Sequence, residues 1–201
     1  MKTIFNLSLI IISTVLLFSS CSKDEGTTTP TGDKNFTFAK VGNKWIFAST
    51  DQNGPSPDVT MEVIQYMGNN TYKIANVFPG SQFGTVIVYW YVNGEELSFN
   101  CDSTGTHKDM FVSGATQLNT TYMSIVHYNP FLQPGDTLYM KITSLNTPVT
   151  VPAGTFECIR ILVWGTPYNN MPETEVFMSR NYGQIKQSNQ HMTLELKSKN
   201  F

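Results

Sequence analysis

The chain has 201 residues, enough for about one domain, with 13 basic and 15 acidic groups and a formal net charge of −2. Only 14% of residues are charged, against the ~25% usual in soluble domains, while 12% are aromatic and Thr and Asn number 24 and 17 beside 5 Ala. This mix favours strands and turns over long helices and holds too much apolar material for wholesale disorder. It has no charge block of the kind that makes an acidic or basic tail, and no second hydrophobic segment that could make a polytopic membrane protein.

The first twenty residues differ from the rest. Lys2 supplies a positive start, and Ile4 to Phe18 is a 15-residue apolar run softened only by Asn6, Ser8, Ser13 and Thr14. A helix of that length rises about 22 Å, short of the ~30 Å hydrocarbon core, so residues 1–20 read as a signal peptide rather than a spanning anchor. A buried domain helix would need a polar stripe, and Leu9-Ile10-Ile11-Ile12 denies it one. Phe18-Ser19-Ser20-Cys21 then resembles the lipobox of bacterial lipoproteins, with Phe18 standing where Leu, Val or Ile is usual. The resemblance implies cleavage before Cys21 and acylation of its sulfur and of the new amino terminus. Two or three acyl chains, at ~0.8 kcal/mol per buried methylene, hold a protein on a membrane effectively permanently.

Lys23-Asp24-Glu25, close to that cysteine, resembles the export signal of Bacteroidetes-type lipoproteins carried to the outer face of the outer membrane. It implies an outer-membrane, surface-exposed location. The alternative is a plain polar tether on a protein left at the periplasmic leaflet. Removing residues 1–20 takes away Lys2 alone, leaving 12 basic and 15 acidic groups and a net charge of −3. That balance lacks the basic footprint of a nucleic-acid partner and leaves membrane attachment to the lipid.

Residues 21–35 combine the lipidation site with a tether. From Gly26 to Asn35 there is no apolar side chain, but two Gly and one Pro, the composition of a flexible linker. Residues 36–201 follow as one β-rich domain. Met61 and Val63 alternate with Thr60, Glu62 and Ile64. Leu138, Met140 and Ile142 alternate with Thr137, Tyr139 and Lys141, and Met192, Leu194 and Leu196 with Thr193, Glu195 and Lys197. This period of two marks half-buried strands, roughly ten of them across the domain. Turn signals stand between them at Asn53-Gly54, Gly68-Asn69-Asn70, Asn93-Gly94, Pro134-Gly135-Asp136 and Asn169-Asn170. Asn93-Gly94 predicts a two-residue type I′ hairpin. The expected architecture is all-β: a single antiparallel, meander-rich domain, either a curved sheet or half-barrel or a sandwich.

The run Thr85 to Val92 is apolar on both faces, and Phe156 to Trp164 nearly so. Such a strand is either central and covered twice, or it lines an apolar concavity. Under the second alternative Tyr89, Trp90 and Tyr91 are candidate ligand-facing aromatics. Val41-Gly42-Asn43-Lys44-Trp45, Val151-Pro152-Ala153-Gly154-Thr155-Phe156 and Tyr182-Gly183-Gln184-Ile185-Lys186 together resemble an uncharacterised family of β-rich Bacteroidetes lipoproteins. The resemblance implies an antiparallel half-barrel loosely similar to lipoprotein carrier folds. It implies no activity, because its motifs are turn and core signatures.

A search for chemistry finds little. His107, His127 and His191 lie far apart with no metal-ligand spacing, and Asp51, Asn53 and Glu62 fit a calcium loop only until Ser56 stands where Gly is needed, between Pro55 and Pro57. There is no nucleophile elbow and no Ser-x-x-Lys, and Glu62 and Glu175 are a carboxylate pair that nothing selects. No catalytic residue, metal or cofactor is therefore assigned. Cys101 and Cys158 are open to pairing in an oxidising compartment or to burial as thiols. Asp102-Ser103-Thr104 and Asp136-Thr137-Leu138 resemble O-glycosylation sites of envelope proteins in this bacterial group. The leading expectation is a lipid-anchored, non-catalytic binding or scaffold domain whose partner is a glycan, a peptide or an outer-membrane protein. The alternatives are a carrier-like half-barrel holding an acyl chain or other apolar ligand, and a cryptic hydrolase.

Overall fold

The computed structural model describes residues 34–114, 116–126, 134–165 and 173–201. The expected signal peptide, Cys21, Lys23, Asp24, Glu25, His127 and the Asn169-Asn170 turn lie outside the described residues. Among the described residues twelve strands run in chain order. The first six are β1 (Lys44–Asp51), β2 (Gly54–Gly68), β3 (Thr71–Phe78), β4 (Gly84–Asn93), β5 (Glu96–Cys101) and β6 (Lys108–Val112). The last six are β7 (Thr121–Ile125), β8 (Thr137–Val151), β9 (Gly154–Gly165), β10 (Thr174–Ser179), β11 (Gly183–Ser188) and β12 (Met192–Lys199). The two shortest, β6 and β7, have five residues each, too few for a period of two to stand out in the sequence.

All twelve belong to one antiparallel sheet in the order β6-β5-β4-β3-β2-β1-β12-β11-β10-β9-β8-β7. Each strand pairs with its sequence neighbour, and the ring is joined in its middle by the first and last strands, with Trp45 opposite Lys199 and Ala48 opposite Glu195. The break falls between β6 and β7. No ladder joins those two edges, but the Ser124 hydroxyl of β7 donates to Asp109 Oδ1 of β6 at 3.3 Å. The result is a nearly closed barrel. The sandwich expected as an alternative does not form, because no second sheet is present among the described residues.

Because the sheet is a meander, its hairpins alternate between the two barrel ends. One end is plugged. Residues 34–40 run across it, with the Phe36 amide donating to Gly94 O at 2.8 Å and the Thr37 amide to Arg180 O at 2.9 Å. They carry Phe36 and Phe38 into an aromatic cluster in which Phe38 packs edge-on to Trp45 and Trp90, with ring centroids at 6.2 and 5.7 Å. Phe201 closes on Trp45 at 5.1 Å. Edge-on contacts of this kind add about 0.5–1.5 kcal/mol each beyond area burial. Trp45 is fully buried and its indole N–H donates to the Tyr182 carbonyl.

Local turn chemistry explains the hairpins. Asn69 and Asn70 both adopt positive φ, at 49° and 57°, the two-residue pattern of a type I′ turn. At the β4–β5 hairpin the expected Asn93-Gly94 turn is shifted by one residue. Asn93 pairs with Glu96, so the central residues are Gly94 and Glu95, and of these only Gly94 has positive φ, at 56°. That is the type II′ pattern, which needs glycine only at its first central position. The β8–β9 hairpin turns tightly at Pro152-Ala153, and the Ala153 amide donates to Leu196 O of β12 at 3.0 Å. Its tip is thereby docked on the sheet, with Val149 and Val151 buried.

Candidate functional site

Strand number decides what lies inside a β-barrel. An eight-stranded barrel is just filled by its side chains, and the interior widens with each added strand. Here the aromatic plug occupies one end, and the remainder is a cavity of about 620 Å³. That lies within the ~300–1,000 Å³ typical of small-molecule sites. Its wall draws on both halves of the barrel. Phe47, Val59 and Met61 come from β1 and β2, Val86, Val88 and Trp90 from β4, and Val163, Val176 and Leu194 from β9, β10 and β12. The period-two pattern that makes these strands amphipathic is what turns these residues inward.

The cavity opens at the end opposite the plug. Ser81 and Phe83 of the β3–β4 turn and His191 of the β11–β12 turn line it and are exposed, Phe83 at 51% of its surface. Two of the mouth's turns are tied together, since Gln52 Nε2 lies 3.1 Å from His191 Nδ1 and also donates to Gln190 O. Phe83 packs edge-on to Phe78, which lines the wall just inside.

Polar groups are sparse within. Asn76, Asn100, Gln184, Gln187 and Thr174 face the cavity. Asn100 is 6% exposed and Gln184 9%, and neither makes a side-chain hydrogen bond among the described residues. No sealed side-chain nitrogen or oxygen lacks a partner among the described residues. The two amide heads therefore open onto the cavity, where a ligand or water can meet them. Among the described residues lining the cavity, none is Asp, Glu, Lys or Arg.

The candidate aromatics separate. Trp90 lines the cavity and packs on Phe99, at 6.1 Å between rings. Tyr91, its neighbour on the strand, does not line it. It is held under the Lys108 ammonium, 3.4 Å from the ring centre, with its hydroxyl 3.2 Å from Glu96 Oε2. Tyr89 is half-buried and is not a lining residue either. The alternation of a strand forces this outcome, because consecutive side chains leave opposite faces. The wall residues from β1, β2 and β9 to β12 carry no motif; only their shared inward face, a tertiary property, unites them.

Other candidates lie outside the cavity. Glu62 pairs with Lys44 at 3.7 Å and Glu175 with Arg160, so these two carboxylates neutralise separate cations and do not face one another across a site. Asp51 accepts from the Asn53 amide and the Ser56 hydroxyl, each at 2.7 Å, and these bonds, Ser56 first, hold its carboxyl below the usual value. Burial pushes Asp102 upward, but the Thr104 hydroxyl and the amides of Thr106, His107 and Thr104 outweigh it and leave the group lowered. No cluster of three or more His, Cys, Asp and Glu suited to a metal occurs among the described residues. Cys101 and Cys158 are free and buried, and burial pushes each thiol up to about 12.

No family model and no curated protein sequence matches the chain. Two solved structures are similar to it. One is an inferred exported protein with a YmcC-like fold from Bacteroides fragilis, 14% identical, covering 83% of this chain and 99% of its own, with a TM-score of 0.47. The other is an inferred lipoprotein from Parabacteroides distasonis, 13% identical, covering 83% of this chain and 98% of its own, with a TM-score of 0.41.

Proposed function

We propose that this protein is a lipid-anchored cell-envelope carrier or receptor whose barrel binds a small apolar ligand. The observation that supports the reading is the cavity of about 620 Å³, walled by Val, Met, Phe, Trp and Leu and open at one end. At ~30 Å³ of liquid per water, such a volume corresponds to roughly twenty waters, and its apolar walls offer them few of the two to four partners each would need. An apolar ligand gains what water cannot, about 25 cal/mol for each Å² it buries. The anchor in this reading is Cys21, with Lys23, Asp24 and Glu25 directing the protein to the outer face of the outer membrane. The plugged end is where the described chain begins, at Lys34.

The reading favours the carrier-like alternative over a glycan-binding surface, because the candidate site is internal and apolar. Of the three candidate aromatics, Trp90 would touch the ligand. Native mass spectrometry of the full chain purified from an envelope fraction should show a bound mass that solvent extraction removes. Val88→Trp, which fills the cavity from its wall, should abolish that mass while the barrel still melts cooperatively. A chain that never carries an extractable molecule, and that no apolar probe stabilises against heat, would end the proposal.

A further inference from the structure

The cavity's polar groups say more about its ligand than its apolar walls do. We infer that the barrel selects an uncharged ligand, an apolar body bearing a neutral group that both donates and accepts hydrogen bonds, such as a carboxamide or hydroxyl, read by Asn100 and Gln184. This rests on the proposed carrier reading and names the class of molecule that the same site takes.

Two observations carry it. The first is the pair of amide side chains, each about nine-tenths buried, lining the cavity and without a side-chain hydrogen-bond partner among the described residues. A buried polar head left unpaired costs roughly 1–3 kcal/mol, so a purely hydrocarbon ligand would leave both heads unpaid for in the dry cavity. An amide offers N–H donors and a carbonyl acceptor together, and it is matched by a ligand group that does both. Asn76 and Gln187 line the same space and extend this neutral polar track.

The second observation concerns charge. None of the described lining residues is Lys or Arg, so an ionised carboxylate or phosphate drawn inside would meet no countercharge. The mouth adds to the barrier. Its turns and strand ends carry Asp51, Asp136 and Glu173, and the described residues of those turns include no Lys or Arg. Hydrogen bonding holds Asp51 in its charged form. An anion approaching this end meets like charge before it meets the apolar wall.

Calorimetric titration of the full chain with decanamide and with decanoate at pH 8 separates the possibilities, since the two probes share a chain length and differ in head charge. Decanamide is expected to bind at least about tenfold more tightly. In the Asn100→Leu, Gln184→Leu double variant that preference should shrink severalfold, mainly through weaker decanamide binding. Asn76→Leu with Gln187→Leu gives a second reading of the same track should the first pair not fold. Equal or tighter binding of decanoate, or an unchanged ratio in a folded variant, overturns the inference while leaving an apolar site in place. Binding of neither probe, with no stabilisation by any apolar molecule, overturns the carrier reading along with it.

Discussion

At the level of single residues, packing at the plug sets the tightest tolerances. Gly183 has φ +74°, and a Cβ placed there would meet Trp45 Cζ2 at 3.0 Å and Phe38 Cδ2 at 3.1 Å. Gly42 has a similar φ of +91° but open space around it. Gly183→Ala should therefore combine a left-handed penalty of about 1–2 kcal/mol with an overpacking cost of about 1–3 kcal/mol, and Gly42→Ala should show the first alone. Urea unfolding of the two variants checks the difference. The cysteines give a second residue-level expectation. With both thiols buried and pushed up to about 12, almost none is thiolate at neutral pH. In a Cys21→Ser chain, labelling by a maleimide should be slow in buffer, fast in denaturant and indifferent to prior reduction. Fast labelling in buffer, or a requirement for reductant, would contradict the buried free thiols.

Among the elements, the β5–β6 turn depends on one carboxylate. Asp102 accepts from the amides of Thr104 and Thr106 at 3.0 Å each and from the Thr104 hydroxyl at 2.8 Å. Its folded pKa lies below the ordinary 3.8, so folding favours its charged form. The stability it supplies is present above 3.8 and is lost as pH falls through the folded value. Asp102→Asn should lower stability at pH 7 and flatten the acid limb below about pH 4, so that variant and parent converge at low pH, as thermal melts across that range would record. The same turn bears Thr104 of the Asp-Ser-Thr sequence, whose hydroxyl is already engaged by Asp102. The β4–β5 turn makes a different point about elements. Asn-Gly was a sound turn signal, yet the pairing of Asn93 with Glu96 moved the turn by one residue. The Gly94 carbonyl then receives the Phe36 amide, a contact with a strand-crossing segment that local turn preference does not contain.

For the whole molecule, the barrel is held by eleven ladders and one seam. β1 and β12 each have two strand neighbours, whereas β7 has one and exposes Met123 and Ile125 at 65% and 43%. Opening should therefore start at the β6–β7 seam. Amide hydrogen exchange is expected to be fastest in β7, slower in β6, and slowest in β1 and β12, approaching the rate of global unfolding there. If β1 and β12 exchanged first, the terminal strands would be the weak joint instead.

Legibility followed the range of the interaction. Strand alternation and tight turns are properties of neighbouring residues, so the antiparallel meander could be read along the chain. Trp45 belongs to one of the motifs read as turn and core signatures, and it is fully buried. Closure could not be read this way. Pairing of residues 45–51 with 192–199 joins opposite ends of the sequence, and no local pattern distinguishes a sheet that closes from one that folds into a sandwich. The cavity depends on that closure, since twelve strands enclose more volume than the plug fills. Asn100 and Gln184 looked like ordinary polar residues within strands; only their place on the cavity wall, without a side-chain partner among the described residues, makes them a recognition feature.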